Sequence, residues 1–171
     1  IQKGADGVEL DAKLTADGHV IVIHDESVDR TTNGKGKVAS FTLEAIRKLD
    51  AGSWFDSKFA GTRVPLLEEV FETLGKEKLI NIELTNYFTP RDGLVKKVCE
   101  LIRRHNNAGQ IIFSSFLPSN LKIASQTLPE IPRGLLALPG IMGLWARSFG
   151  FMFGDYQALH PHLTNTSREQ I

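Results

Sequence analysis

The chain has 171 residues, 42% hydrophobic and 23% charged, which is ordinary for one globular domain with a real core. The 20 basic residues balance the 20 acidic ones, which excludes a strongly basic surface, so we expect no nucleic-acid partner. The single cysteine, Cys99, excludes an internal disulfide framework and fits a reducing compartment, so we predict a cytoplasmic location and a core role for Cys99. The longest uncharged apolar run, residues 134–146, is shorter than the roughly 20 residues of a membrane span, which predicts no transmembrane segment.

The first half of the chain predicts three strands, at residues 7–15, 19–25 and 79–85. The turn signal Asp17-Gly18 separates the first two. The second is almost continuously apolar, as expected for a strand that is buried on both faces. Between the second and third strands we predict a polar loop at residues 29–40 and a short helix, capped by Thr42, at residues 42–49. An irregular aromatic segment follows at residues 50–64, and a second helix begins at Pro65 and covers residues 65–75.

The second half continues the alternation of helices and strands. Its clearest helix, residues 92–106, has apolar side chains on one face. Three more strands are predicted at residues 110–116, 133–138 and 158–164. Two more helices are predicted at residues 118–128 and 139–154, the second interrupted by glycine. Six strands that alternate with helices or connecting loops indicate an α/β fold with a parallel sheet.

The strand ends favour a (β/α)8 barrel, the TIM barrel, over a doubly wound sheet. No glycine-rich dinucleotide fingerprint follows the first strand, whereas polar residues lie at the ends of several strands, as in a barrel active site. A full barrel needs roughly 250 residues. The chain also opens like the end of a helix and closes like the start of one. We therefore predict that residues 1–171 are one partial barrel domain, covering about strands 2 to 7 and lacking the first and last.

Three carboxylates lie on predicted strands that are otherwise apolar. Glu9 and Asp11 are two residues apart and share a face, and Glu83 lies on the third strand. Three anions that converge on one barrel mouth repel each other unless a cation joins them, and all-oxygen ligands favour Mg²⁺ or Ca²⁺. His24, at the end of the second strand, suits proton transfer beside such a cation. The residues alone leave a hydrolase, a lyase or an isomerase open.

The segment GADGVELDAKLTADGHVIVIHDESVDRTTNGKG resembles the central signature of the glycerophosphodiester phosphodiesterase family, and NIELT and IIFSSF resemble its following strands. The resemblance implies a (β/α)8 barrel that uses a divalent cation to hydrolyse a small-molecule glycerophosphodiester to glycerol 3-phosphate and an alcohol. It implies metal ligation by Glu9, Asp11 and Glu83 and acid-base catalysis by His24. We expect Arg30 and Asn33, in the loop after His24, to be structural or rim residues.

Two departures from the family pattern affect the site. The family's first strand, with a His-Arg-Gly motif that supplies the second catalytic histidine, has no match in these 171 residues and would lie before Ile1, so we expect the fragment alone to be inactive. Many members have a lysine where this chain has Thr85, and Lys13, on the face of Asp11, is our candidate for the phosphate contact. Ser115 and His160 are the other candidates for substrate binding. His160 and His162 could also form a second metal site, but we expect one to be packed and one to lie at the rim.

Two alternatives stay open. The apolar segment 138–156 predicts a buried barrel helix, but it could instead be a lid that accepts an acyl chain, which would make lysophospholipids the substrates in a lysophospholipase D-type reaction. A non-catalytic barrel that binds phosphodiesters or a partner protein would have the same carboxylates. Exposure of Trp145 and Phe151 distinguishes a lid from a buried helix.

Overall fold

A computed structural model describes residues 4–74 and 76–166. The six strands are β1 (Gly7–Leu14), β2 (Val20–Val22), β3 (Leu79–Leu84), β4 (Ile111–Ser115), β5 (Arg133–Ala137) and β6 (Ala158–Pro161). The α-helices are α1 (Leu43–Ile46), α2 (Leu67–Leu74), α3 (Leu94–His105) and α4 (Pro118–Thr127). The predicted helix limit at Gly75, the first three residues and the helix start predicted after Thr166 lie outside the described residues.

The strands form one sheet in the order β2-β1-β3-β4-β5-β6. From β1 onward, neighbouring strands are parallel and follow the chain order without reversal. A doubly wound sheet reverses its strand order at a switch point, whereas a barrel adds each strand beside the one before it. The fold is therefore that of a (β/α)8 barrel, of which these residues form a part.

The prediction that β2 continues the parallel sheet is wrong. β2 is antiparallel to β1, with Lys13 opposite Ile21. The turn between them is too short for a parallel crossover, because Gly18, at a φ of +80°, reverses the chain and its N–H donates to the Thr15 carbonyl oxygen at 3.0 Å. The apolar run of β2 instead contributes Ile21 to a small second core beside α1.

The parallel sheet has an apolar outer face and a polar inner face. The outer side chains, among them Leu10, Ile82 and Phe113, are buried against α3 and α4 in the main core, which also contains Cys99 as predicted. The strand register places the polar side chains together on the other face, in the pairs Glu9–Asn81, Asp11–Glu83 and Glu83–Ser114, and His160 on the same face lies opposite Leu136. Side-chain alternation thus separates the core that stabilises the fold from the face that can hold a site.

The segment after β5 is not the buried helix that we favoured from sequence. It forms a 3₁₀-helix at Gly140–Gly143 and a π-helix at Ala146–Gly150, interrupted by the non-helical backbone of Ser148. Trp145 is 56% exposed and Phe153 is 83% exposed, although Phe151 is half-buried against Tyr156. Across residues 4–74 and 76–166, no helix is both long and apolar enough to cross a membrane.

Candidate active site

The three predicted metal ligands converge. One carboxylate oxygen from each of Glu9, Asp11 and Glu83 lies within 4.8 Å of the others. The register explains this arrangement, because Asp11 and Glu83 are direct partners on β1 and β3 and Glu9 lies one pleat before Asp11. Three carboxylate oxygens at this spacing can act as ligands of one hard divalent cation.

Burial and mutual repulsion disfavour the charged forms of the three acids. Burial raises the pKa of Glu9 to about 6, although part of its side chain reaches solvent, and the charges of Asp11 and Glu83 add to this effect. Burial is also the main cause of the raised pKa of Asp11 and of Glu83. A positive charge among these oxygens would relieve both the repulsion and the loss of hydration.

Tyr87 orients Glu83 and was not predicted from the sequence. Its hydroxyl donates a hydrogen bond to Glu83 Oε1 at 2.6 Å and accepts one from the backbone N–H of Phe116 at 3.3 Å. Burial and the adjacent Glu83 carboxylate raise the pKa of Tyr87, so the phenol stays protonated and remains a donor. The only signal in the sequence is an aromatic residue four positions after a strand carboxylate.

Lys13 is buried close to the carboxylates. Its Nζ donates to the carbonyl oxygen of Thr85 at 2.7 Å and to Glu26 Oε2 at 3.4 Å. Its positive charge lowers the pKa of Asp11 and of Glu83, in opposition to their burial. The ammonium group therefore contacts Thr85, the position after β3 at which many family members have a lysine. Its other partner, Glu26, was not predicted from the sequence.

His24 follows β2 and lies near the carboxylates. Its side chain is 73% exposed, and Nδ1 is 2.7 Å from Asp25 Oδ1. The hydrogen bond to Asp25 is the main cause of the raised pKa of His24, and a protonated ring would lower the pKa of Glu9, Asp11 and Glu83. The structure therefore brings the predicted catalytic histidine and the predicted metal ligands to the same end of the sheet.

The structure contradicts a role in substrate binding for Ser115. This side chain is fully buried on the outer face, and its hydroxyl donates to the Leu84 carbonyl oxygen at 2.9 Å. Asn120 on α4 donates to the same carbonyl at 3.1 Å. Strand alternation explains the correction, because Ser115 has the parity of the core residue Phe113 and not that of Glu83's partner Ser114.

His160 lies on the inner face, but at the far strand. Its ring packs over Gly134, where a Cβ atom would lie 2.7 Å from the imidazole, and burial lowers its pKa. Within the described part of the chain, no hydrogen bond joins His160 to the carboxylates. His162 is exposed, with Nδ1 3.0 Å from the Thr164 hydroxyl. One histidine is thus packed and one is at the surface, as expected, and they do not form a second metal cluster among the described residues.

A comparison with known proteins now assigns the family. The sequence profile of the glycerophosphoryl diester phosphodiesterase family matches residues 1–139. A glycerophosphodiester phosphodiesterase of Caldanaerobacter subterraneus subsp. tengcongensis is 43% identical over the whole chain, which covers 70% of that relative. This chain belongs to the glycerophosphodiester phosphodiesterase family. An enzyme of the same name from Bacillus subtilis is 40% identical over 75% of the chain.

Solved structures of family members agree with the fold. An Oleispira antarctica phosphodiesterase in complex with the product sn-glycerol-3-phosphate has 28% identity and a TM-score of 0.84, covering 99% of this chain and 68% of that one. A glycerophosphodiester phosphodiesterase from Agrobacterium tumefaciens has 38% identity and a TM-score of 0.69, covering 79% of this chain and 55% of that one. The chain spans from about half to 70% of the length of the curated relatives named above.

Proposed function

We propose that the protein containing this chain hydrolyses glycerophosphodiesters to glycerol 3-phosphate and an alcohol, using a divalent cation and histidine acid-base catalysis. The observation that supports this most is the convergence of Glu9, Asp11 and Glu83 within 4.8 Å beside the exposed His24. Family membership and the product complex of the Oleispira antarctica relative support the same reaction class.

The donor set fits a hard divalent cation, Mg²⁺ or Ca²⁺. All three groups offer carboxylate oxygens, which these ions prefer, and no thiolate or imidazole is among them. When bound, the cation would supply positive charge to the phosphate. Glu9, Asp11 and Glu83 would hold the cation, and the hydroxyl of Tyr87 would orient the Glu83 carboxylate by its hydrogen bond to Oε1.

His24 would transfer a proton at Nε2. Its Nδ1 is engaged by Asp25, so Nε2 is the ring nitrogen left for substrate. The resemblance to the family assigns the opposite proton transfer to a histidine on a strand that has no match in this sequence. Lys13, whose Nζ donates to the Thr85 carbonyl oxygen next to Asp11 and Glu83, would add a fixed positive charge to the site. His160 would line the glycerol or alcohol side of the inner face, and the cytoplasmic location remains a prediction.

The test is glycerol 3-phosphate release from glycerophosphocholine by the full-length protein. The protein is stripped with chelator, and Mg²⁺ or Ca²⁺ is then added back. We expect release only with metal, and a loss of about 100-fold or more in Glu9→Gln, because the variant loses one of the three carboxylates that would hold the cation facing the phosphate. The control is Glu72→Gln, an exposed carboxamide substitution on α2, which should retain activity. Absence of release with either cation would favour the binding-barrel alternative.

One observation favours a second candidate, the hydrolysis of lysophospholipids. The segment after β5 begins at the carboxyl end of the strands, where barrel active sites lie, and it exposes large apolar side chains: Ile141, Met142, Leu144, Phe149, Met152 and Phe153. A patch of this size suits an acyl chain. The lid reading predicts that Met142→Ser combined with Phe153→Ser slows hydrolysis of lysophosphatidylcholine but not of glycerophosphocholine. The lid reading would be refuted if the variant hydrolysed lysophosphatidylcholine as fast as the wild type, or if it lost the same fraction of its rate with both substrates.

A further inference from the structure

A chain of polar contacts leads from His24 to the aromatic loop at residues 50–64. His24 Nδ1 lies 2.7 Å from Asp25 Oδ1. Arg30 donates to both oxygens of that carboxylate, from Nε to Oδ2 at 2.6 Å and from Nη2 to Oδ1 at 2.7 Å. We propose that Asp25 is a positioning residue that fixes the tautomer and orientation of His24, and that Arg30 holds Asp25 in place. The proposal rests on the proposed function, in which His24 handles a proton.

The chemistry of Asp25 determines which nitrogen of His24 carries the proton. An ionised carboxylate can only accept hydrogen bonds, so the contact requires a proton on Nδ1 and leaves the lone pair of the neutral ring on Nε2. The hydrogen bonds from Arg30 and His24 hold the pKa of Asp25 far below its usual range, so it is ionised at neutral pH. The other charged groups around His24 are Arg30, Glu9, Asp11 and Glu83.

Arg30 is itself fixed by its surroundings. Its guanidinium carbon lies 5.9 Å from the centroid of the Trp54 ring, a cation–π distance. Trp54 donates from Nε1 to the Ala51 carbonyl oxygen at 2.9 Å, which fixes the ring within its loop. A two-point hydrogen bond from a guanidinium to a carboxylate also sets the plane of the carboxylate. The loop therefore determines the direction in which Asp25 presents its oxygen to His24.

The exposure of these groups indicates orientation rather than stability as their role. The side chains of His24 and Arg30 are 73% and 56% exposed. Exposed ion pairs contribute little to folding, so this arrangement adds little to the free energy of unfolding. Its larger effect is to restrict an imidazole that would otherwise rotate freely at the surface, next to the carboxylate cluster.

The kinetic test uses the full-length protein with glycerophosphocholine and saturating metal. Asp25→Asn should lower kcat about 10-fold to 100-fold with KM nearly unchanged, less than the about 10⁴-fold loss known for a buried catalytic aspartate because His24 is exposed. Arg30→Gln should give a smaller loss in the same direction, and Arg30→Lys should not restore it because lysine cannot donate at two fixed points. The matched control is Asp29→Asn, in the same loop, whose carboxylate pairs with Lys35 at 3.7 Å.

A spectroscopic test on the full-length protein separates failure of the positioning role from failure of the proposed function. In ¹⁵N NMR spectra, neutral His24 should carry its proton on Nδ1, and Asp25→Asn should move the population toward the Nε2–H tautomer. A loss of kcat together with this tautomer change supports the proposal. An unchanged tautomer, or an equal loss of kcat in Asp29→Asn, overturns it. If the wild-type protein releases no glycerol 3-phosphate, the proposed function fails and the tautomer alone decides the positioning role.

Discussion

Replacing Glu9 by Gln should stabilise the metal-free chain and remove the stabilisation by metal. The pKa of Glu9 in the folded chain is about 6 against an ordinary value of 4.5. This difference of about 1.5 pH units corresponds to about 2 kcal/mol at neutral pH. Glu9 is partly exposed, and solvent screening reduces the gain from removing its charge to about 1 kcal/mol.

Metal should reverse the order of stability. Binding to the folded state alone adds about 2.7 kcal/mol when the metal concentration is 100 times Kd. The wild-type chain should gain this stability with Mg²⁺ or Ca²⁺, whereas Glu9→Gln has lost one of the three ligands and should gain much less. Urea denaturation with chelator and with saturating metal measures both quantities, and Glu72→Gln serves as the control. A variant that is less stable than wild type in chelator, or that gains equally from metal, would refute the reasoning.

Three further changes test the surroundings of the site. Tyr87→Phe removes the hydrogen bond to Glu83 and should weaken metal binding about 10-fold by calorimetric titration; unchanged affinity would contradict its orienting role. Asn120→Ala removes a donor from the buried Leu84 carbonyl oxygen and from Asn86 Oδ1, and should cost about 2–3 kcal/mol in urea denaturation; a cost below about 0.5 kcal/mol would contradict this. Hydrogen bonds from the hydroxyl and backbone N–H groups of the 50–64 loop lower the pKa of Asp50, so its contribution to stability is present above the unfolded pKa of about 3.9 and is lost as pH falls through the folded value. Asp50→Asn should therefore lower Tm at pH 7, with a difference from wild type that shrinks below about pH 4; a constant difference would refute this.

The parts of the site that obey strand alternation could be predicted from the sequence. Glu9, Asp11 and Glu83 interrupt apolar strands at positions of one parity, so the register alone brings them together. The same rule, applied to Ser115, would have assigned it to the core beside Phe113. The polarity of a side chain does not by itself indicate function, because the face of the strand decides whether the side chain reaches the site.

Contacts between distant segments could not be predicted. Lys13 is 13 residues from Glu26 and 72 residues from Thr85, and no pattern in either segment indicates the pairing. The orientation of β2 follows from a turn that the sequence does show. The turn signal Asp17-Gly18 leaves too few residues for a parallel crossover, so β2 has to run antiparallel to β1. The exposure of Trp145 depends on the tertiary surroundings of its segment and not on its composition.

The central claim is that a cation binds among Glu9, Asp11 and Glu83 next to His24. Mn²⁺ can replace Mg²⁺ at such oxygen sites, and its unpaired electrons broaden NMR signals only at short range. Substoichiometric Mn²⁺ should broaden the ring signals of His24 and leave those of His105, which packs against Phe71 on α2, sharp. Competition by Mg²⁺ or Ca²⁺ should restore the His24 signals. Equal broadening of both histidines, or broadening of His24 that persists in Glu9→Gln, would contradict the account.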